Sequence, residues 1–137
     1  MLDQAGEALE VVLFRAGGVL FAVPADGVEQ AQRRDAHLSA LDLAAEMGRT
    51  ARRDLILVLR CEGERARVRV DEVVEVAALP LAAIHPLPRL AAERHRGGYV
   101  FAVAERDDEL AVMLDVRAVI RAQVGEEAAA PVAVGGR

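Results

Sequence analysis

The chain has no lysine and no tryptophan, one cysteine, one serine and one threonine, and only 3% of its residues are aromatic. Each shortage removes a class of function. All 17 basic residues are arginines, scattered rather than striped, as codon bias in a GC-rich genome would leave them. With a net charge of -5 the chain lacks the cationic surface from which nucleic-acid affinity comes. Cys61 alone can form neither an internal disulfide nor a multi-thiolate metal site. It stands at the end of an apolar strand beside a turn, with no base next to it in sequence, so a nucleophilic role has no support. Ser39 is outside any Gly-x-Ser-x-Gly turn, so there is no sign of a serine hydrolase. His37, His85 and His95 form no short ligand pair, and no metal or cofactor is expected. No apolar run approaches the roughly 20 residues of a membrane span, and Asp3 and Glu7 interrupt any signal peptide. The expectation is a cytoplasmic protein without membrane insertion.

What remains is aliphatic. Hydrophobic residues make up 53% of the 137, so the core is built from Val, Leu, Ile and Ala. The length suits one domain, or two very small subdomains sharing a core. The stretch that organises the chain runs from Asp54 to Leu79. Leu55 to Leu59 is an unbroken apolar run of strand length. Glu62-Gly63-Glu64 reverses the chain, and Ala66, Val68 and Val70 then alternate with Arg65, Arg67 and Arg69. That period of two marks a strand with one dry face and one wet face. Val70-Asp71-Glu72-Val73-Val74-Glu75-Val76 continues it to Leu79-Pro80.

Two further hairpins share this length and pattern. Glu10–Arg15 and Val19–Val23 flank Gly17-Gly18, and Pro24 ends the return strand. Tyr99–Ala104 and Leu110–Leu114 flank the turn Arg106-Asp107-Asp108-Glu109. Both glycine pairs (17-18 and 97-98) lead into strands, not into a helix N-terminus that could hold a phosphate. Between the hairpins, Ala25 to Arg34 fits a short helical turn or a weak strand. His37 to Gly48 fits a short strand and a helical turn with Asp42 as N-cap and Gly48 as stop. Pro86 and Pro88 predict an extended loop over Leu81 to Leu90. Asp115 is placed to cap a helix that presents Val116, Val119 and Ile120 on one face. The expected organisation is a flexible N-terminus over 1–8, one domain over 9–121, and a disordered tail over 122–137. The fold class is mainly β and barrel-like.

Asp71, Glu72, Glu75 and Asp115 read as a turn residue, an exposed acidic edge and a helix cap. The rival reading is a small β-barrel enzyme using Asp71, Asp115 and His85, which requires those side chains to share one pocket.

Five motifs in order resemble a CheW-like domain, the adaptor of bacterial chemosensory arrays. They are Val12-Leu13-Phe14-Arg15 through Phe21-Ala22-Val23-Pro24 with Val28; Leu41-Asp42-Leu43; Val70-Asp71-x-Val73-x-x-Val76 with Leu79-Pro80; Ile84-His85-Pro86-Leu87-Pro88; and Leu114-Asp115-Val116 with Ile120. The resemblance implies two intertwined SH3-like β-barrels with a shared hydrophobic seam. Such a domain does no chemistry and binds a chemoreceptor's cytoplasmic tip and a CheA-type histidine kinase's regulatory domain. Only AQRRDAHLSA stands where the family carries a longer segment with Asn-x-Arg-Gly, which this chain lacks. The first barrel is therefore expected to be shortened, with Arg33, Arg34, Asp35 and His37 blunting its exposed edge. In this the chain resembles the shortened FrzB-type accessories of gliding myxobacteria. The resemblance further implies receptor contacts at Val28 and Gln30, and less directly at Val70, Asp71, Glu72 and Val73. Partners would be the receptor, the kinase with weakened affinity, and other CheW-like adaptors. Ordinary receptor–kinase coupling through a remodelled first barrel is the alternative.

Overall fold

The computed structural model describes residues 7–33, 40–43, 55–87 and 98–129, with side chains through 123. Ten strands and one helix fill these spans: β1 (Ala8–Ala16), β2 (Val19–Pro24), β3 (Val28–Arg33), β4 (Leu41–Asp42), β5 (Leu55–Cys61), β6 (Glu64–Val70), β7 (Glu72–Pro80), β8 (Ile84–Pro86), β9 (Val100–Arg106), β10 (Glu109–Leu114) and α1 (Val116–Ala129). They form a four-stranded sheet in the order β3-β5-β6-β4 and a six-stranded sheet in the order β7-β1-β2-β10-β9-β8.

The three hairpins stand where the sequence puts them, each closed by a two-residue turn with both φ angles positive. The pairs are Gly17-Gly18, Glu62-Gly63 and Asp107-Asp108. Such turns match the right-handed twist of the strands they join, and Gly and Asp are among the residues that tolerate them.

β1 and β2 are buried on both faces, which explains their unbroken apolar runs. Val12, Phe14, Phe21 and Val23 point into the core beneath the four-stranded sheet. Val11, Leu13, Leu20 and Ala22 point into a second core with Leu79, Ala104, Ala111 and Met113. Phe14 and Phe21 stack with centroids 5.4 Å apart. One hairpin thus serves as a wall common to two subdomains.

The second subdomain is a curled sheet whose mouth is sealed by charge. Arg15 donates two hydrogen bonds to Glu109 at 2.7 and 2.8 Å, and Arg106 meets Glu75 at 2.6 Å. Among the described residues the first subdomain is thinner, because β4 pairs with β6 only at Leu41↔Val68 and Asp42↔Arg69. Next to this short pairing, Gln123 of α1 accepts a hydrogen bond from the Arg67 amide at 2.7 Å. The side-chain amide takes up a donor on β6 that β4 does not reach, and α1 packs Val116, Ala118, Val119 and Ile120 into the core below.

Several expectations are corrected. Leu81–Ala83 is a short 3-10 helix and β8 pairs with β9, so the proline-rich stretch is not simply a loop. Pro86 is tolerated because β8 is an edge strand, where a missing donor costs no ladder bond. Ala25–Arg33 takes both of the forms the sequence allowed, a 3-10 turn followed by β3. Of the stretch expected to be flexible, Glu7 is held by its carbonyl, which accepts the Leu81 amide at 3.3 Å, and Ala8 begins β1. The tail expected from residue 122 is helical through Ala129. Leu43, directly after Asp42, is helical, and the rest of the turn expected there falls outside the described residues, as do Arg34, Asp35 and His37.

Candidate functional site

Where the two sheets meet, a groove of about 690 Å³ opens between the β5–β6 turn, the start of α1 and the face of β9. Its apolar surface comes from Pro24, Phe101, Leu114 and Val116, and its polar rim includes Asp26, Arg60, Glu62, Asp115 and Arg117. Phe101 is 43% exposed, an unusual position for a large aromatic in a chain with so few. Its strand explains this: Val100, Ala102 and Ala104 turn inward, so period-two alternation turns Phe101 outward.

The groove wall at α1 is firmly built. Asp115 caps the helix, its Oδ1 accepting the Ala118 amide at 3.3 Å while its own amide donates to the Tyr99 carbonyl at 2.8 Å. Arg117 bonds Glu62 at 2.6 Å and lies 4.0 Å from the Cys61 sulfur, tying the helix to the β5–β6 turn. Gly27 closes the wall on the other side. A Cβ there would meet Val116 Cγ2 at 2.8 Å, so only glycine lets the 3-10 turn come this near to α1.

Of the residues expected to bind a partner, Val28 and Gln30 lie on the edge strand β3, Glu72 and Val73 on the edge strand β7, Val70 on the interior strand β6 and Asp71 in the bend after it. Val28 follows Gly27, is half-buried and packs on the main core. Gln30 is exposed and donates to Gln32 at 3.0 Å. Beside them, the Arg65 guanidinium holds the Glu29 carboxyl below the usual carboxylate range. Glu72 and Val73 are exposed on β7, at the edge of the other sheet. Val70 is corrected: it is 0% exposed, because the alternation that buries Ala66 and Val68 buries it too. Asp71 is half-buried, and Oδ2 accepts the Gly17 amide at 2.8 Å while its amide donates to the Arg15 carbonyl at 2.7 Å. It ties β1–β2 to the corner where the chain leaves one sheet for the other.

The enzyme reading required Asp71, Asp115 and His85 to converge. Only Asp115 lines the groove; Asp71 holds the β1–β2 turn, and His85 on β8 faces Glu105 at 3.3 Å. Among the described residues no group of His, Cys, Asp and Glu could hold a metal ion. No helix among them is long and apolar enough to cross a membrane. Sequence reading missed the groove residues Phe101, Arg60 and Arg117; the outward register of Phe101 was the signal that could have found the first.

The sequence profile of the CheW-like domain matches residues 31–124. This chain belongs to the CheW-like domain family. Domains of this family are non-catalytic scaffolds. The match begins inside β3, so the opening motif on β1 and β2 lies outside it. Among solved structures, the scaffolding protein TtCheW from Thermoanaerobacter tengcongensis superposes with a TM-score of 0.64 at 17% identity, covering 80% of this chain and 90% of that one. At that identity the likeness concerns the fold: mainly β, in two sheets, with SH3-like barrel subdomains. Comparison with curated proteins gives no match.

Proposed function

We propose that this CheW-like chain is a chemosensory adaptor that docks on the cytoplasmic tip of a chemoreceptor and adjusts signalling to a CheA-type kinase, with direct kinase binding weakened. The observation that carries the reading is the groove between the sheets. Its apolar floor and mixed-charge rim suit an amphipathic helix, whose apolar stripe would seat on Phe101, Leu114 and Val116. Val28 and Gln30 extend this surface along β3 from Gly27, while Glu72 and Val73 form a separate contact on β7.

The weakened kinase contact rests on the thin first subdomain and on the missing Asn-x-Arg-Gly segment. In this reading the chain acts as a shortened accessory of the FrzB type, serving gliding motility from a cytoplasmic receptor array that also holds other CheW-like adaptors. The alternative, ordinary receptor–kinase coupling, is favoured by one feature: α1 and Gln123 cover part of what the short β4 leaves open.

A paired titration against the receptor tip and the kinase regulatory domain tests the reading. Receptor binding alone is expected, with Phe101→Glu weakening it about tenfold or more, as loss of an anchor in a docking groove does. Binding to both partners would favour ordinary coupling. Binding to neither, or an unaffected Phe101→Glu variant, would overturn the groove assignment.

A further inference from the structure

Among the described residues, four strands end a sheet, and three of them are poor templates for another chain. β4 has two residues, and β8 has three and ends in Pro86. β3 is broken by a bulge at Glu29 and carries Gln30, Gln32 and Arg33. Short, bulged or charged edges resist strand addition.

β7 is different. It has nine residues, pairs only with β1, and has no proline before Pro80. One bulge sits at Val74, and the register from Glu75 to Pro80 is regular. In an antiparallel pair about half the amides of each strand point away from the partner. On β7 those amides face no other strand of the described residues.

The side chains that would blunt this edge are engaged elsewhere. Glu75 turns to Arg106 at 2.6 Å, and Glu72 lies 4.0 Å from Arg15. Both belong to the charged seal at the mouth of the barrel. What the opposite face of β7 shows to solvent is Val73, Val74 and Val76, at 39, 42 and 60% exposure.

We propose that the outer edge of β7 is a strand-addition site for an extended, apolar segment of a partner protein that carries a basic residue. The inference goes beyond the groove reading and does not depend on it. An extended segment is favoured over a second folded copy because three part-exposed valines fall far short of the roughly 800 Å² per partner that a stable globular interface buries. Strand addition takes its affinity from main-chain hydrogen bonds and needs only such a stripe for side-chain selection. The basic residue is argued from Glu10, an exposed carboxylate on β1 that pairs with Ala78. Ala78 is small, so an arginine on an added strand can reach over it toward Glu10.

The probe is a blocked peptide of alternating valine and threonine with one arginine near its end. Controls replace the arginine by alanine or place proline at alternate positions. Hydrogen exchange of the full chain, followed amide by amide, is expected to slow about tenfold or more on the outward amides of β7 once the peptide is bound, the tenfold step corresponding to about 1.4 kcal/mol. Val76→Lys should weaken binding by a similar factor while leaving the melting curve unchanged, since Val76 is 60% exposed. Glu10→Ala should weaken the arginine peptide and not its alanine version.

Three results would overturn the proposal: protection at β3 or β8 instead, β7 amides already slow in the chain alone at every concentration, or β7 protection that rises with protein concentration without peptide. The last two would assign the edge to a segment of this chain or to a second copy. Hydrogen exchange on the Phe101→Glu variant separates the two sites, because the peptide should still protect β7 when the groove is spoiled.

Discussion

The carboxylate of Asp71 holds the backbone amide of Gly17 at 2.8 Å across 54 residues of sequence. The contact joins the turn of the first hairpin to the corner between β6 and β7, and so fixes how the chain crosses from one sheet to the other. A hydrogen bond to an ionised acceptor contributes about 1.5–3 kcal/mol. Asp71→Ala is expected to lower stability by about that amount, and Asp71→Asn by less, since its amide oxygen still accepts. Urea unfolding with unchanged slope checks this; an alanine variant as stable as the parent would show the clamp to be idle.

Glu109 gives the chain an acid-sensitive element. The Arg15 hydrogen bonds, opposed by partial desolvation, hold its carboxyl below the usual glutamate range. A carboxyl depressed on folding stabilises the fold above its unfolded pKa. That contribution is lost as pH falls through the folded value. The stability difference between the parent and Glu109→Gln should therefore be constant near neutrality, begin to fall as the pH approaches the ordinary glutamate value of about 4.3, and vanish in stronger acid. Melting curves of both proteins across that range measure it, and a difference independent of pH would sink the idea.

Gly27 sets the width of the groove. With a Cβ only 2.8 Å from Val116 Cγ2, Gly27→Ala must push α1 or the 3-10 turn aside, an overpacking that costs about 1–3 kcal/mol. Combining it with Val116→Ala removes the clash, so the double variant should be less destabilised than the two single changes predict together. Strict additivity in chemical denaturation would mean that the two sites do not touch.

Much of this was legible in the sequence because alternation and turn chemistry are local. The β5–β6 hairpin follows from Leu55–Leu59, Glu62-Gly63 and the Arg/Val alternation, and the Asp115 cap from its place before an apolar helical face. The apolar run Val11–Phe14 announced a strand but not that both its faces would be dry, because that depends on what two distant sheets place against it. Val70 and Asp71 were assigned to receptor binding because they lie in a family motif, although the alternation with Ala66 and Val68 already put Val70 on the dry face. The Gly17 contact of Asp71 depends on a pairing across 54 residues. The groove was not legible at all, since Gly27, Phe101 and Val116 come from three separate stretches.

The hairpin shared between the cores also sets an order of events during synthesis. β1 finds its outer neighbour only when Pro80 has been made, and β2 finds its own only when Met113 has. Pairings so distant along the chain raise contact order and slow folding. This hairpin, made before either strand that covers it, is thus among the last to be enclosed, and until then Val11, Val12, Leu13 and Phe14 are a bare adhesive strip of the kind a chaperone binds.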